Sequence, residues 1–265
     1  MAIRVCVAGV SGRVGGALTR AVEGEDDLVL AAAVSRGRAG QRIREVVAGT
    51  SSDVAIAATV AAALEGCDVL VDYTSAVAVK GNVLAAIERG VHVVIGSSWL
   101  TDDEYDELDG RARAAGVGLF AAGNFAITAV LLQRFAEQAA RVVPSWEIID
   151  YGGASKPDAP SGTARELAAR LEKVRAPLVA RPVADTVGEV AARGATVGGM
   201  QVHSLRLPGF LSSIEVVFGR AGERLSLRHD SVDASAPYVA GTLLAIRRVG
   251  GWTGLVRGLD HLLDG

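Results

Sequence analysis

Short apolar runs, glycine turns and amphipathic segments alternate through the first half of the chain. An apolar run from Ile3 leads directly into the turn Gly9-Val10-Ser11-Gly12-Arg13-Val14-Gly15. From Val14 onward apolar residues recur at helical spacing, and the segment Leu28–Val34 has the composition of a second buried strand. The pattern from Ile3 to Arg36 therefore predicts a strand, a glycine turn, a helix and a second strand.

The same alternation of strands and helices continues as far as residue 121. An alternating order of this kind gives a parallel sheet with helices packed on it. Thr101 followed by Glu104 also indicates a capping box at the start of one helix. The predicted strands are 69–73, 91–95 and 118–121, and the predicted helices are 76–89 and 101–115.

The pattern changes after a predicted helix over residues 128–143. Apolar and polar residues then alternate with the period of two that is typical of antiparallel strands. This change predicts a second domain with an open sheet, so that residues 1–123 with 234–265 form one domain and residues 124–233 form the other. The predicted strands are 145–151, 199–207, 213–218 and 223–229, and the predicted helices are 161–174, 236–249 and 253–263.

Composition and charge narrow the class of partner. The 265 residues carry a formal net charge of -3 and show no basic stripe, which argues against nucleic acid. The two cysteines, Cys6 and Cys67, have no CxxC or zinc-ligand neighbours, so we expect no metal site. The N-terminus shows no signal-peptide features, and no apolar stretch reaches the roughly 20 residues that span a bilayer. We expect a cytoplasmic protein that binds a small molecule and no membrane.

The glycine turn is the first candidate binding site. Glycines at positions 9, 12 and 15 let the backbone approach a pyrophosphate, whose charge is stabilised by the N–H groups and dipole at the start of the following helix. The spacing is GxxGxxG rather than the commoner GxGxxG, and a tight turn without a ligand is the alternative. The flanking strands and helix favour a dinucleotide site. Its predicted contacts are Gly9, Ser11, Gly12, Arg13, Val14 and Gly15.

The end of the second strand indicates which dinucleotide binds. An Asp or Glu there would accept hydrogen bonds from the ribose hydroxyls, but this chain has Ser35-Arg36-Gly37-Arg38. A hydroxyl and a guanidinium suit the 2′-phosphate of NADP, because Arg offers a charge-assisted fork. We predict NADPH in preference to NADH, bound by Ser35 and Arg36; solvated loop charges are the alternative. Loops after the later strands add Tyr73, Thr74, Gly96, Ser97, Ser98, Asn124 and Phe125 as predicted cofactor contacts.

The densest group of polar side chains lies in residues 150–164. Lys156 and the run from Asp158 to Ala164 resemble the signature of the dihydrodipicolinate reductase family. The resemblance implies an α/β protein with an N-terminal Rossmann-type dinucleotide-binding domain plus an α+β domain with an open mixed β-sheet. It also implies NAD(P)H as hydride donor and a homotetramer or homodimer. Similar segments elsewhere are Gly9 to Gly15, Asp72-Tyr73-Thr74, Asn124-Phe125, His203-Ser204 with Arg206, and Gly254-Leu255.

The resemblance further implies which residues contact the substrate. Ser161, Gly162 and Thr163 would bind a substrate carboxylate at a helix start, a position that favours anions on physical grounds as well. Lys156 would supply a cation to the same substrate, and a proton; a solvated loop lysine is the alternative. Trp99 departs from the family pattern; on the favoured hypothesis given below, it would contact the substrate ring or the edge of the nicotinamide.

Several positions depart from the family pattern. The family carries a His-His pair, the first of which is regarded as the general acid, where this chain has Gly152-Gly153. Histidine titrates near neutral pH, whereas glycine has no side chain that could carry a proton. These departures indicate a changed substrate pocket. The others are Ser97-Ser98-Trp99 for a loop ending Thr-Thr-Gly, Ala126 for serine, Ile214 for histidine and Asp233-Ala234 for Ser-Arg.

Three hypotheses follow from the residues and the resemblance. The favoured one is a reductase that transfers hydride to a C=N or C=C bond of a different small carboxylated substrate, with a proton from Lys156, Tyr151, Ser155 or water. The second is the ordinary lysine-pathway reaction with His203 or His229 as substitute acid. The third is a non-catalytic NADP-binding homologue.

Overall fold

The computed structural model describes residues 1–263, and the chain divides into two compact units. Unit 1 contains Met1–Ile127 and the segment from Ser235 onward, and unit 2 contains Thr128–Ala234. The domain boundaries predicted from the sequence, after residues 123 and 233, lie within a few residues of these. The first predicted domain also includes residues 264 and 265, which lie outside the described residues. Within residues 1–263, no helix is both long and apolar enough to cross a bilayer.

The helices and strands follow one another in the order that the alternation predicts for the first half of the chain. Before unit 2 come β1 (Ile3–Ala8), α1 (Arg13–Glu23), β2 (Leu28–Val34), α2 (Ile43–Val46), β3 (Ile56–Ala57), β4 (Val69–Asp72), α3 (Val79–Ile87), β5 (His92–Ile95), α4 (Asp102–Ala115) and β6 (Gly118–Ala121). Then follow α5 (Ile127–Val142), β7 (Ser145–Gly152), α6 (Gly162–Val174), β8 (Ala195–Val197), β9 (Met200–Arg206), β10 (Ser212–Arg220) and β11 (Glu223–Ser231). The described chain ends with α7 (Ala236–Arg248), β12 (Gly254–Arg257) and a short 3-10 helix (Leu259–Leu262).

Unit 1 is built on a parallel sheet. Among the described residues, seven strands form it in the order β12-β6-β5-β4-β1-β2-β3. Every residue of β4 and of β6 is buried, which is the pattern of parallel strands covered on both faces. Because β1 pairs in parallel with both β2 and β4, the loops that follow these strands emerge at one edge of the sheet.

Unit 2 is built on a mixed sheet. In the described part of the chain its five strands have the order β11-β10-β7-β9-β8. Side chains of β7 alternate between buried and half-buried positions, and the buried ones pack in a core with residues of α5 and α6. The opposite face of this sheet is only partly covered within unit 2.

The predicted α/β fold is confirmed, and so is the capping box of α4. The backbone N–H of Glu104 donates to Thr101 Oγ1 at 3.2 Å, and the backbone N–H of Thr101 donates to Glu104 Oε2 at 3.0 Å. The mixed sheet that the resemblance implies is also confirmed: β10 pairs antiparallel with β7, and β7 and β9, whose residues alternate like those of antiparallel strands, pair in parallel. The crossover helix α6 between them makes that direction possible.

The predicted helix over residues 253–263 is wrong. Its first part is the strand β12, which pairs in parallel with β6, and only Leu259–Leu262 is helical, as a 3-10 turn. Gly254 and Gly258 have positive φ angles of 87° and 102°, a conformation that no α-helix accommodates. The N–H groups of these two glycines donate to the carbonyls of Val117 and Ala121 instead.

Candidate active site

The glycine turn after β1 is held by close backbone packing. Gly9 has a φ of 88°, and a Cβ there would lie 2.3 Å from the carbonyl oxygen of Tyr73. A Cβ on Gly15 would lie 2.2 Å from the carbonyl oxygen of Gly9. A Cβ on Gly12 would meet only that same oxygen, at 3.2 Å. Gly9 and Gly15 therefore shape the turn, whereas Gly12 keeps its outer surface clear.

Gly12 is also the N-cap of α1, and no side chain caps this helix. The first turn of α1 contains no acidic residue, so its N–H groups and the positive end of its dipole are not neutralised locally. The turn contributes the backbone N–H groups of Arg13, Val14 and Gly15, which cannot bond within the helix. This arrangement suits a pyrophosphate.

A cavity of about 410 Å³ lies along the turn, within the size range of ligand pockets. Ser11 Oγ lies 2.8 Å from Ser35 Oγ at its wall. Arg36, at the start of the 3-10 turn Arg36–Arg38, also lines the cavity and is exposed. The glycine cradle and these polar groups fit a dinucleotide. Further lining residues are Gly9, Gly12, Tyr73, Thr74 and Asn82.

A buried carboxylate organises the loops after β4 and β5. Asp72 is fully buried, and its Oδ1 accepts hydrogen bonds from Ser97 Oγ at 2.6 Å and from Thr74 Oγ1 at 2.8 Å. Its Oδ2 accepts from Asn82 Nδ2 at 2.7 Å. Thr74 and Ser97, both predicted cofactor contacts, are thus fixed by Asp72.

Buried aromatic side chains pack behind the loops that follow β4, β5 and β6. Tyr73 donates or accepts a hydrogen bond with Thr242 Oγ1 at 2.7 Å, and burial raises the pKa of its phenol. A Cβ on Gly96 would lie 2.2 Å from the Tyr73 ring, so Gly96 makes room for that ring. Phe125 is 2% exposed and packs edge-on against Tyr73 and Phe120. Because the ring is enclosed in the core, the cofactor contact predicted for Phe125 is left to its backbone and stays a prediction.

The two remaining predicted contacts of this edge lie in loops. Asn124 Oδ1 accepts a hydrogen bond from the backbone N–H of Ala126 at 2.8 Å, which shapes the loop before α5. Ser98 is exposed.

In unit 2, Ser161 begins the helix α6. Its Oγ accepts a hydrogen bond from the backbone N–H of Ala164 at 3.2 Å, and the residue is 5% exposed. The Ser161 hydroxyl is therefore occupied as the helix cap, which corrects its predicted role as a substrate ligand. Gly162 is exposed and Thr163 is half-buried, so their N–H groups at the helix start are the accessible ones.

A buried ion pair fixes the segment before α6. Asp150 Oδ2 accepts hydrogen bonds from the backbone N–H of Ser161 at 2.8 Å, from Ser204 Oγ at 3.1 Å and from Arg206 Nη2 at 2.7 Å. Burial alone would raise the pKa of Asp150, but the hydrogen bonds from Arg206 and Ser161 outweigh burial and hold that pKa below its ordinary value. Arg206 also donates to the carbonyl oxygen of Asp158.

The Lys156 side chain lies beside Gly152, next to the ion pair of Asp150 and Arg206. Lys156 Nζ is 2.7 Å from Asp158 Oδ1, and this ammonium holds the pKa of Asp158 below its ordinary value. A Cβ on Gly152 would lie 2.8 Å from Lys156 Cδ and 3.2 Å from Arg206 Cζ. The stems of Lys156 and Arg206 therefore fill the space beside residue 152, where the family pattern has a histidine.

The predicted proton donor Tyr151 lies on the other face of the sheet. Side chains of successive residues on β7 point to opposite faces, so Tyr151 is directed away from Asp150 and Gly152. Its hydroxyl donates to Glu215 Oε2 at 2.9 Å, and burial with the Glu215 carboxylate raises its pKa. The predicted role of Tyr151 beside Lys156 is therefore wrong. Ser155, the other predicted donor, is exposed on the loop before Lys156.

The two candidate substitute acids are also placed. His203 Nε2 lies 2.7 Å from Glu147 Oε2, on the same outer face as Tyr151. His229 is 8% exposed, its Nδ1 lies 2.9 Å from Thr128 Oγ1, and burial lowers its pKa. Each histidine is thus engaged in unit 2 by a partner other than the Lys156 group.

The sequence places Asp72, Asp150 and Arg206 in candidate segments, but we predicted no role for them in organising the site. A charged residue inside or at the end of an apolar strand is a usable signal, because a buried charge requires partners. Asp72 ends the run Val69–Asp72, and Asp150 interrupts the apolar face of β7. For metals, residues 1–263 contain no group of three or more His, Cys, Asp and Glu that could hold an ion.

The parallel sheet with its glycine cradle defines unit 1 as a Rossmann-type dinucleotide-binding domain, joined in one chain to a second domain with a mixed sheet. The chain belongs to the dihydrodipicolinate reductase family. The model for the N-terminus of dihydrodipicolinate reductase matches residues 3–125, and the model for its C-terminus matches residues 128–263. The predicted family is confirmed, and with it a nicotinamide-dependent oxidoreductase.

Individual relatives agree with this assignment. The 4-hydroxy-tetrahydrodipicolinate reductase of Nocardia farcinica is 40% identical, with 100% of both chains covered. That of Moorella thermoacetica is 39% identical, with 99% of this chain and 98% of the relative covered. The dipicolinate-bound dihydrodipicolinate reductase from Paenisporosarcina sp. TG-14 has a TM-score of 0.88 and 30% identity, covering 98% of this chain and 99% of that one.

Proposed function

We propose that this chain is an NADPH-dependent reductase of a C=N or C=C bond in a small carboxylated substrate of the cyclic imine or enamine type, and that this substrate differs from the one in its relatives' names. The observation that carries the proposal is the surroundings of Gly152. The stems of Lys156 and Arg206 occupy the space beside a residue that has no side chain to carry a proton.

The cofactor half of the proposal rests on unit 1. The glycine turn and the start of α1 hold the pyrophosphate, and Ser35 with Arg36 holds the 2′-phosphate of NADPH. Thr74 and Ser97, fixed by Asp72, line the nicotinamide side. When bound, the reduced nicotinamide supplies the hydride.

The substrate half rests on unit 2. The N–H groups of Gly162 and Thr163 bind a substrate carboxylate, and Lys156 adds a positive charge. Arg206 holds the backbone of Asp158, whose side chain in turn orients the Lys156 ammonium. An iminium substrate is already protonated, so it needs no acid before hydride arrives. This explains how the site works without the histidine, with Lys156 or water handling any later proton.

The second candidate function is the ordinary 4-hydroxy-tetrahydrodipicolinate reduction of lysine biosynthesis. Identity of 40% over the whole chain favours it. His203 lies on the face of the sheet opposite Gly152, and burial lowers the pKa of His229, so both histidines are poor candidates for its substitute acid. Cytoplasmic location and assembly as a homotetramer or homodimer stay predictions.

Turnover by the purified protein tests the proposal. NADPH oxidation is followed by absorbance with 4-hydroxy-tetrahydrodipicolinate and with a panel of other cyclic imine carboxylates, such as pyrroline and piperideine carboxylates. We expect the highest kcat/KM with a member of the panel. A highest kcat/KM with 4-hydroxy-tetrahydrodipicolinate would establish the second function instead. Binding of NADPH without oxidation by any compound would support a non-catalytic homologue.

A further inference from the structure

Trp99 is the outlier of unit 1 in both backbone and exposure. Its φ is 86°, and within residues 1–263 no other residue except glycine has a positive φ. Its exposed fraction is 84%, although indole is among the most costly side chains to leave in water. Strain and exposure both disfavour Trp99 in the free protein, and such outliers point to a function.

The loop that carries Trp99 is anchored on both sides. On one side, the N–H of Gly96 donates to the Asp72 carbonyl at 2.9 Å, and Ser97 Oγ donates to Asp72 Oδ1 at 2.6 Å. On the other side, Leu100 packs against the core of unit 1 and Thr101 caps α4. The backbone next to Trp99 is therefore fixed, and the indole is presented on a rigid support.

The place of this loop identifies the ligand region. It follows β5, at the carboxyl edge of the parallel sheet where ligands bind in folds of this class. The groups proposed for the nicotinamide, Thr74 and Ser97, belong to the Asp72 network, whereas the Trp99 side chain is largely exposed outside it. The indole is thus free for the other molecule that must reach this edge, the hydride acceptor.

We infer that Trp99 is a specificity-determining residue that stacks on a flat, unsaturated ring of the acceptor, so that the enzyme prefers planar cyclic carboxylates to saturated ones. The inference rests on the proposed function and adds the shape of its substrate. An offset-stacked ring gains attraction from the indole face, and a puckered saturated ring of equal charge loses close contact with it.

Two probes with the same carboxylates and different rings test the inference. Isophthalate is planar, and its ring-hydrogenated analogue is puckered. Each is titrated into the protein saturated with NADP⁺, and binding is measured by calorimetry. Access of acrylamide to tryptophan fluorescence is measured in parallel. It reports mainly on Trp99, because Trp146 is 4% exposed and Trp252 is half-buried with its Nε1 bonded to the Leu119 carbonyl.

We expect isophthalate to bind more tightly than its hydrogenated analogue and to shield Trp99 from acrylamide. Trp99→Phe should keep the preference, and Trp99→Leu should reduce it by about three- to tenfold. Both variants place a non-glycine residue at the same φ, so they are matched for backbone strain. Unchanged NADP⁺ affinity in both controls for folding of unit 1.

Three results would overturn the inference: shielding of Trp99 by NADP⁺ alone, an unchanged preference in Trp99→Leu, or no binding of either probe. Because these readouts need no turnover, they separate this inference from the proposed function. Shielding by isophthalate without any NADPH oxidation would leave the stacking intact and refute the reductase. Turnover without a preference for the planar ring would support the reductase and refute the stacking by Trp99.

Discussion

At the scale of single residues, Arg36 is the group that we propose to distinguish NADPH from NADH. It lines the cavity beside the glycine turn, whereas the neighbouring Arg38 does not line it. Arg36→Ala should weaken NADPH binding by about ten- to a hundredfold, the value of a charge-assisted hydrogen bond, and leave NADH binding unchanged. Fluorescence titration with both cofactors measures this, with Arg38→Ala as the matched control. Equal weakening of NADPH and NADH would remove the phosphate assignment.

In unit 2, Lys156 is the single residue on which we expect substrate turnover to depend most. Its ammonium is paired with Asp158, and its side-chain stem passes beside Gly152 in the arrangement proposed for the substrate. Lys156→Ala should lower kcat/KM by about a hundredfold or more and leave the Kd of NADPH unchanged. Lys173, exposed in the last turn of α6, provides the control Lys173→Ala, for which we expect no change. Loss of NADPH binding together with turnover would indicate a structural role for Lys156.

At the scale of elements, the connection from β7 to α6 depends on the charge of Asp150. Asp150→Asn preserves the shape and can keep the hydrogen bonds to Ser161, Ser204 and Arg206, but it removes the negative charge. The variant should be less stable at neutral pH by about 2–3 kcal/mol. Urea unfolding measures this difference. Ser204→Ala, which removes one neutral donor, is the control and should cost about 1 kcal/mol.

The same difference should depend on pH in one direction. The pKa of Asp150 is lowered in the folded protein, so the stability from its charge is complete above the unfolded value of roughly 4 and is lost as pH falls through the folded value. The gap between wild type and Asp150→Asn should therefore stay constant at neutral pH and shrink below about pH 4. A gap that widens in acid would contradict the ion pair with Arg206.

Local sequence signals predicted the elements whose cause is local. The turn from Gly9 to Gly15, with a strand before and a helix after, and the cap Thr101 of α4 were all readable from neighbouring residues. The strand β12 was not, because its pairing with the distant β6 outweighs the helical spacing of Leu255, Leu259 and Leu262. The direction of β9 is also set at a distance, since alternation of apolar residues is the same in parallel and antiparallel strands with one exposed face.

The candidate site divides in the same way. Motif residues such as Gly12 and Gly162 were found from sequence, because their role lies in the local backbone. The opposite orientation of Tyr151 relative to Gly152 follows from the period of two along β7 and was available from the sequence. The partners of Asp72 and Asp150 were not, because they come from separate elements that only the fold brings together.

At the scale of the whole molecule, assembly is a prediction that the outer face of the unit 2 sheet makes testable. This face carries Tyr151, His203 and Leu205 beside a cavity of about 920 Å³, and the resemblance implies a homotetramer or homodimer. Light scattering after gel filtration should give the mass of a tetramer or dimer. Ile149→Glu, which adds a charge to the same face, should shift the mass toward the monomer. An unchanged mass would place the interface elsewhere.

The largest-scale prediction concerns the pathway. A bacterium that lacks the lysine-pathway reductase should not grow without diaminopimelate when it carries this chain, and the deleted enzyme on the same plasmid should restore growth. Replacing Gly152 and Gly153 by histidine should not restore it. A Cβ at 152 would lie 3.2 Å from Arg206, which Asp150 holds in place, and a Cβ at 153 would lie 3.0 Å from the carbonyl oxygen of Phe210. Rescue by wild type would establish the lysine-pathway reaction. Rescue by the double variant alone would mean that the pocket still accepts the lysine precursor and that only the proton donor has been lost.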